Sequence, residues 1–261
     1  MINAYLDVMK AAAIKCGSLI LDRSAISMNT SSKTSQRDVV TQYDFEVQTA
    51  LVEYLSRVFP DSQFVTEEAP VQNFTAEKTV FVIDPIDGTM NFVKNLHHSC
   101  ISIGCFVGGL PVAAVVYDPY MQELFHAVRG GGAFLNDSPI SVTDAALADT
   151  LVLFGTSPYN TETVDRTFDI IKKIYHKCLD LRRTGSAALD LCYVACGRAG
   201  LYFESRLSLW DYAAGALILT EAGGLVMKMD GSPLTFSLEK SSVLAGSHQT
   251  IVQSELISED L

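Results

Sequence analysis

VIDPIDGTMNF, residues 82–92, places two aspartates three positions apart around a proline and follows them with Gly-Thr. The residues before Asp84 are typical of a buried strand. Pro85 fixes φ and removes an amide, so the chain is expected to turn rigidly and to hold both carboxylates in place. Gly88 permits a close backbone approach, and Gly88-Thr89 can open a helix whose amides attract phosphate. The stretch therefore offers oxygen ligands for a cation beside donors for an oxyanion, although a plain turn with an aspartate cap explains the same spacing.

A second pair of carboxylates, Glu67-Glu68, ends another short strand. Adjacent side chains on a strand point to opposite sides, so at most one of the two can share a site with Asp84. A solvated pair on the surface is the alternative.

Two more aspartates stand beside helices. Asp211 precedes the apolar helix AAGALILTEAGG, which a glycine pair ends, and it is placed as an N-terminal cap. Thr41 and Asp44 fit a capping box in which Thr41 is the cap and Asp44 reaches back. Each position on its own has this simple structural explanation.

Composition indicates an ordinary globular protein of 261 residues, 48% hydrophobic and 19% charged, with a formal net charge of −11. That net negative charge disfavours non-specific binding to nucleic acid or to an anionic membrane surface. If the substrate is itself an anion, something local must offset this field, and a bound cation is the simplest way to do so.

The N-terminus has the apolar spacing of an amphipathic helix rather than of a signal peptide. The stretch 95–117 contains no Asp, Glu, Lys or Arg and is as long as a membrane-spanning helix. Gly108-Gly109-Leu110-Pro111 divides it, so two strands joined by a turn are expected instead. Six cysteines without a CxxC pair are expected to be free thiols in a reducing cytoplasm. We therefore expect a soluble cytoplasmic protein.

Secondary-structure signals alternate along the chain and predict a mixed layered protein with a seam near residue 140. Helices are predicted at 3–22, 44–58, 161–176, 186–196 and 212–222, and the polar stretch 27–37 is predicted to be a loop or loose hairpin. Strands are predicted at 63–66, 79–83, 100–107, 112–117, 123–127, 151–155, 178–181, 199–203 and 242–245.

The signals together resemble one family closely. DVVTQYD at 38–44, VIDPIDGTMNF preceded by Glu67-Glu68, GSAALDL at 185–191 and LWDYAAGALILTEAGG at 209–224 are similar to the signatures of the inositol monophosphatase family, which comprises magnesium-dependent, lithium-sensitive phosphatases. The resemblance covers nearly the whole chain. It implies an α+β fold, the layered α-β-α-β-α sandwich shared with fructose-1,6-bisphosphatases. It also implies one phosphatase domain, 1–261, with a metal-binding half at about 1–140 and a second half at about 141–261, assembled as a homodimer.

The resemblance also implies roles for individual residues. The expected cofactor is two or three magnesium ions, with manganese as an alternative, and their ligands would be Glu67, Asp84, Asp87, the Ile86 carbonyl, Asp211 and, for a weaker outer ion, Asp44. The catalytic residues would be Glu67 and Thr89, which orient and deprotonate a metal-activated water, together with Asp44. The residues that contact substrate would be Gly88, Thr89, Gly185, Ala187, Glu204 and Asp211. Lys33 corresponds to a lysine in a mobile loop.

Elementary electrostatics supports the metal assignment. Two carboxylates about 4 Å apart repel by about 4 kcal/mol at an effective dielectric near 20, so a cluster of four needs cations to stay ionised. Oxygen ligands select a hard ion such as magnesium or manganese over zinc. Two such ions can activate a water and neutralise the leaving oxygen of a phosphate ester.

The substrate expected from the resemblance is a small phosphorylated polyol or sugar, most specifically myo-inositol monophosphate. Thr89-Met90-Asn91-Phe92 looks like the inositol phosphatase branch, whereas bisphosphate nucleotidases usually carry Lys-Glu-Phe after the threonine. Relatives that act on fructose 1,6-bisphosphate, 3′(2′),5′-bisphosphate nucleotides or histidinol phosphate remain alternatives. A non-catalytic binding or regulatory protein on the same scaffold is an alternative of another class.

Three other features are interpreted as structural. His97-His98 is expected to face solvent or lie in a loop, and Gly130-Gly131-Gly132 to form a tight hairpin. Arg182-Arg183 is expected to pair with an acid, with a phosphate contact or a subunit contact as alternatives.

Overall fold

A computed structural model describes residues 2–21, 30–32, 39–69, 74–75, 77–157 and 163–257, with only the backbone described at 30–32 and 39–41. The predictions made for Lys33 and for Asp38 lie outside these ranges. Within them, strand β1 (Thr30–Ser32) pairs antiparallel with β2 (Val39–Thr41), in keeping with the loose hairpin.

Seven α-helices and two larger sheets make up the rest of the described chain. The helices are α1 Ile2–Leu21, α2 Gln42–Val58, α3 Thr89–Val93, α4 Val164–Tyr175, α5 Ala187–Ala195, α6 Leu209–Glu221 and α7 His248–Ser254, with a 3-10 turn at Leu147–Asp149. The remaining strands are β3 Gln63–Thr66, β4 Val80–Asp87, β5 Cys100–Val107, β6 Leu110–Asp118, β7 Glu123–Val128, β8 Ala133–Leu135, β9 Ser138–Ile140, β10 Leu151–Phe154, β11 Asp180–Arg182, β12 Leu201–Leu207, β13 Leu225–Met227 and β14 Ser241–Gly246.

The two sheets lie between three layers of helices. The first sheet has the order β3-β4-β5-β6-β7-β8-β9 and the second the order β11-β10-β12-β14-β13. Helices α1 and α2 cover the outer face of the first sheet, α5 and α6 lie between the sheets, and α4 and α7 pack on the outer face of the second sheet. This order confirms the predicted α-β-α-β-α sandwich.

Several local predictions are also confirmed. Cys100 belongs to the apolar cluster between the sheets and Cys105 to the cluster under α1 and α2, so they point to opposite faces of β5. All six cysteines are free. The uncharged run forms the hairpin β5–β6, and the glycine triplet separates β7 from β8. No helix in the described ranges is both long and apolar enough to span a membrane.

The expected turn between Asp84 and Asp87 is wrong in one respect, because the strand continues through it. β4 runs to Asp87 and pairs Asp84 with Ser102 and Asp87 with Cys100. Between these two pairs β4 advances by three residues and β5 by two. The extra residue on β4 forms a β-bulge. Pro85 is tolerated there because a bulge leaves a residue out of the hydrogen-bond ladder.

The bulge decides which way the two aspartates point. Residues three apart on a regular strand face opposite sides of the sheet. One extra residue between them brings the second side chain back to the same side as the first. Asp84 and Asp87 therefore lie on the same face of the first sheet, the face that packs on α5 and α6, while Ile86 is buried among the residues under α1 and α2.

Candidate active site

Asp84 and Asp87 are buried at the end of β4, with 2% and 8% of their surfaces exposed. The bulge itself orients Asp84, because the Ile86 amide, which the ladder leaves unpaired, donates to Asp84 Oδ1 at 3.0 Å. The carboxylate thus satisfies a backbone donor as it faces the helices of the second half.

Asp87 is fixed from the opposite side of the site. Its Oδ2 accepts hydrogen bonds from Ser186 Oγ at 2.6 Å and from the Ala188 amide at 2.8 Å, at the start of α5. Ser186 is the N-cap of this helix, whose positive end favours a carboxylate. Among the described residues none donates to Oδ1, which leaves that oxygen for another ligand.

Glu67 follows β3 directly, and β3 runs parallel to β4, so both strands deliver acids to the same edge of the sheet. The Glu67 amide donates to the Ile83 carbonyl at 3.3 Å, which brings its side chain level with Asp84. Glu67 is half-buried, and its charge acts on Asp84, Asp87 and Asp211.

Asp211 comes from the second half, in the first turn of α6. Its Oδ2 accepts the Ser208 amide at 2.7 Å, so it does support the helix N-terminus. The predicted start of α6 at Tyr212 is wrong, because Ser208 is the N-cap and the helix begins at Leu209. The prediction of Asp211 as the N-cap is therefore also wrong: Asp211 is the third residue of the helix, and it reaches back to the amide of the true cap, Ser208.

Burial and mutual repulsion govern the protonation of these acids. Burial raises the pKa of Asp84 well above its usual range, and the charges of Glu67, Asp87 and Asp211 raise it further. Burial likewise raises the pKa of Asp211, followed by the charges of Glu67 and Asp87. The pKa of Asp87 rises to about 6, because burial outweighs its bonds from Ser186 and Ala188. The strongest charges acting on Asp84 are thus all negative, a situation that a cation would relieve.

The chemistry of this donor set fits a hard divalent cation, since every available ligand atom is an oxygen. The geometry is not that of a finished metal cage: in the described part of the chain no three histidine, cysteine, aspartate or glutamate side chains are placed to hold one ion together. The acids share one electrostatic neighbourhood, in which the side chains of Asp84 and Glu67 are also linked by a hydrogen bond.

Thr89 and Asp44 lie beside Asp87 and Ile86. The Thr89 hydroxyl is within hydrogen-bond distance of two acceptors, Asp44 Oδ1 at 3.3 Å and the Ile86 carbonyl at 3.1 Å. Asp44 is fully buried in the first turn of α2. Helix α2 begins at Gln42, two residues before the predicted start.

Gly88 joins β4 to α3 with a φ of 89°, a conformation that glycine adopts without strain. A β-carbon there would lie 3.0 Å from the His98 carbonyl oxygen. The glycine after the two aspartates is therefore explained by backbone geometry and by the close approach of the 98–99 segment.

Glu204 lies on β12 and is 9% exposed. Its Oε1 accepts the Ser157 amide at 2.9 Å, and its Oε2 accepts the Tyr202 hydroxyl at 2.9 Å. Gly155 provides the space, because a β-carbon there would overlap the carboxylate. Its charge raises the pKa of Asp87 and of Asp211, so Glu204 belongs to the same acidic region.

Sequence reasoning missed the residues that join the two halves at the site. Asn91 Nδ2 donates to the His98 carbonyl and to the Thr184 carbonyl, both at 2.8 Å. Thr184 Oγ1 donates in turn to the buried Asp190 at 2.6 Å. Asn91, Ser186 and Asp190 stand inside the quoted motifs, but nothing in their spacing shows which partner each one finds. The predicted pocket residues Gly185 and Ala187 flank Ser186 and so lie next to Asp87.

The histidines and arginines are placed largely as expected. His97 is exposed and stacks on Tyr120, and His98 is half-buried, with a pKa lowered by burial. Arg182 pairs with Asp180, which confirms the acid-pairing prediction for that arginine.

The fold and the buried acids together define a layered α/β protein with a carboxylate-rich site where its two halves meet. The model of the inositol monophosphatase family matches residues 3–259, and the chain belongs to this family. Membership supports a phosphatase activity, and the family generally uses divalent metals.

Individual relatives carry two kinds of name. The chain is 41% identical over 232 residues to the Nus factor SuhB of Pasteurella multocida, covering 88% of this chain and 86% of that protein. It is 35% identical to an inositol-1-monophosphatase of Synechocystis, covering 97% and 88%. The solved structure of the extragenic suppressor protein suhB from Bartonella henselae has a TM-score of 0.91 at 31% identity, covering 99% of this chain and all of that chain.

We predict that magnesium stabilises the metal-free protein more at pH 7.5 than at pH 5.5. A carboxyl whose pKa is raised on folding stabilises the fold while it is protonated, and this stability is lost as pH rises through about 6 for Asp87. A cation bound by the ionised acids restores it. At a magnesium concentration of 100 times Kd we expect a rise in Tm of roughly 5 °C or more at pH 7.5, measured by calorimetry.

Potassium chloride at equal ionic strength serves as the control and should give a much smaller rise. An equal effect of magnesium at both pH values would contradict the involvement of these buried acids.

Proposed function

We propose that this protein is a magnesium-dependent phosphomonoesterase that hydrolyses a small phosphorylated polyol or sugar, most specifically myo-inositol monophosphate. The observation that carries the proposal is the meeting of Asp84, Asp87 and Glu67 from one half with Asp211 from the other, all in mutual repulsion. Structural acids are normally paired with cations, whereas these acids raise one another's pKa.

The proposed ligands of the first two ions are Glu67, Asp84, Asp87, the Ile86 carbonyl and Asp211, with Asp44 assisting a third, weaker ion. Asp44 is the member of this set that Thr89 connects to the others. Magnesium, or manganese in its place, would supply an activated water and neutralise charge on the leaving oxygen.

Thr89 is proposed to orient the attacking water together with Glu67. A hydroxyl has one proton, so donating to the Asp44 carboxylate leaves both oxygen lone pairs free to accept. A water that donates to Thr89 Oγ is then held in one orientation, and its proton has a route to Asp44 or to Glu67. This water would attack phosphorus in line while the bond from phosphorus to the ester oxygen breaks, the departing alkoxide would take a proton from a second water, and no phosphoenzyme would form.

The substrate is proposed to lie across the junction of the two halves. The amides of Gly88 and Thr89 would hold the phosphate, because the start of α3 has donors without partners inside the helix. Gly185, Ala187, Glu204 and Asp211 would line the space for the alcohol. Glu204 supports a hydroxylated alcohol, since its carboxylate oxygens accept hydrogen bonds and it sits nearly buried.

The wider assignment follows from the same resemblance. We propose a single phosphatase domain over 1–261, with halves at about 1–140 and 141–261, a cytoplasmic location, lithium sensitivity and no grip on nucleic acid. The first sheet ends at Ile140 and the second begins at Leu151, which supports a boundary between them.

A second candidate function is regulatory rather than catalytic. The observation in its favour is the name of the Pasteurella multocida relative, a Nus factor, at 41% identity. All the proposed ligand positions carry residues that can bind a metal ion, which favours catalysis. A catalytic site is also compatible with an additional regulatory role.

We expect Asp84→Asn to lower phosphate release at least a hundredfold, because the lost ligand removes several kcal/mol of charge stabilisation. The fold should persist, since asparagine Oδ1 can still accept the Ile86 amide and one repelling charge is gone. Phosphate release with magnesium and the circular dichroism spectrum measure the two parts.

Glu68→Gln is the matched control, with an expected change below about twofold because adjacent strand-end side chains diverge. Near-normal turnover by the Asp84 variant would refute the ligand assignment.

A substrate panel tests the alcohol specificity. With magnesium, we expect the highest kcat/KM for myo-inositol 1-phosphate among that compound, fructose 1,6-bisphosphate, adenosine 3′,5′-bisphosphate and histidinol phosphate, and we expect lithium to inhibit. Glu204 accepts hydrogen bonds from hydroxyls but would repel a second phosphate. Absence of turnover with every compound would instead favour the regulatory function.

The proposed homodimer is tested by light scattering after gel filtration. We expect a mass about twice that of the 28.4 kDa chain. Exposed apolar side chains such as Leu96, 63% exposed, and Met121, 62% exposed, are available for a subunit contact. A mass equal to that of one chain at micromolar concentration would exclude the dimer.

A further inference from the structure

Tyr202 and Glu204 lie two residues apart on β12, so their side chains point to the same face of the second sheet. β12 is the middle strand of that sheet, paired with β10 on one side and with β14 on the other. The Tyr202 ring is fully buried in the apolar cluster between the two sheets. Its hydroxyl donates a hydrogen bond to Glu204 Oε2 at 2.9 Å. The donor therefore comes from a ring that the packed interior holds in place.

The other side of the Glu204 carboxylate lies against the segment that follows β10. Ser157 donates to Oε1 from its amide at 2.9 Å and from its hydroxyl at 3.0 Å. The backbone of Gly155 passes so close that a β-carbon there would overlap the carboxylate. Gly155 is itself fixed to β12, because its amide donates to the Phe203 carbonyl at 3.0 Å. The carboxylate is thus held through both oxygens, in a space that exists because residue 155 is a glycine.

The hydrogen bond at Oε2 affects both the orientation and the charge of Glu204. A glutamate side chain has several rotatable bonds and loses rotamer freedom when it is held in one position. Burial raises the pKa of the Glu204 carboxyl, and the hydrogen bond from Tyr202 is the strongest of the effects that lower it. Burial and the charge of Glu204 raise the pKa of the Tyr202 hydroxyl well above its usual value, so the tyrosine keeps its proton and remains the donor. Tyr202 therefore fixes the direction of the carboxylate and favours its charged form.

We propose that Tyr202 is a positioning residue, which together with the space at Gly155 fixes the Glu204 carboxylate so that the site selects esters of hydroxylated alcohols. This inference rests on the proposed phosphatase function and deepens it. A carboxylate has about four lone-pair sites, so it can accept a substrate hydroxyl in addition to the hydrogen bonds from Tyr202 and Ser157. A carboxylate that is already oriented loses less entropy when that hydroxyl binds. In this role Tyr202 acts through Glu204 rather than by contact with the substrate.

Two esters separate this role from a general effect on folding or on the chemical step. The first, myo-inositol 1-phosphate, carries hydroxyls on its alcohol, whereas the second, p-nitrophenyl phosphate, has none. Steady-state kcat and KM are measured for both esters with magnesium, and the ratio of the two kcat/KM values gives the preference for the hydroxylated alcohol. The variants are Tyr202→Phe, Gly155→Ala and, as the matched control, Tyr212→Phe. Tyr212 is fully buried in the same apolar cluster, but its hydroxyl donates to the Thr235 carbonyl.

We expect Tyr202→Phe to lower kcat/KM about fivefold for myo-inositol 1-phosphate and about twofold or less for p-nitrophenyl phosphate. The change should be mainly in KM, since the substrate hydroxyl is bound both before and during the reaction. Gly155→Ala should lower the preference at least as much, because the added methyl group displaces the carboxylate itself. Tyr212→Phe should leave the preference unchanged, whatever its effect on stability.

A double-mutant cycle tests whether Tyr202 acts through Glu204. Glu204→Ala alone should lower the preference about tenfold, because the acceptor for the substrate hydroxyl is removed. Tyr202→Phe added to Glu204→Ala should then lower the preference by less than about twofold, because the tyrosine has no carboxylate left to orient.

Three results would overturn the inference: equal losses for both esters in Tyr202→Phe, a loss of preference of the same size in Tyr212→Phe, or a further fivefold loss in the double variant. If circular dichroism shows that Tyr202→Phe is unfolded, an unchanged preference in Gly155→Ala would overturn it instead. Wild-type hydrolysis of p-nitrophenyl phosphate alone would likewise contradict a site that selects hydroxylated alcohols. Failure of the proposed function looks different, because the wild type would then release phosphate from neither ester.

Discussion

The main physical constraint on this structure is the repulsion among carboxylates that the fold brings close together. Burial and mutual charge raise the pKa of Asp84, Asp87 and Asp211, and the largest charge effects on Asp84 come from other acids. Such a cluster opposes folding unless protons or cations accompany it. Acids that stay buried close together despite this cost are candidates for binding a cation, and their oxygen atoms suit a hard one.

Hydrogen bonds between the halves determine whether the acids can act together. Asp87 belongs to the first sheet but is bound by Ser186 and Ala188 at the start of α5. Asn91 of α3 bonds the Thr184 carbonyl in the same loop. These bonds fix the first half relative to the loop that carries Gly185 and Arg183. These hydrogen bonds therefore link the phosphate side of the proposed site to its alcohol side.

The sequence predicted the layers and most strands because periodic burial is local information. Alternation along residues 100–107 assigns Cys100 and Cys105 to opposite faces of β5, and the structure agrees. The bulge at Pro85 was not predictable, since it exists only against the register of β5. Ser186 and Asn91 were missed for a similar reason: each finds its partner about 100 residues away, and spacing within one motif carries no information about such pairs. The acids themselves were identified from the sequence, but the prediction that they meet in one site came from the family resemblance.

Small residues complete the argument by explaining how Asp211 reaches the first sheet. Gly104 of β5 faces Ala213 of α6, where a β-carbon on the glycine would already be 3.4 Å from Ala213 Cβ. Gly215 in turn lies against Leu191 of α5, at 2.7 Å from an added β-carbon. Larger side chains at these contacts would push α6 away from the sheet, because packed interiors have little room to yield. The position of Asp211 is thus set by side chains that carry no charge, and substitutions there would disturb the site without touching an acid.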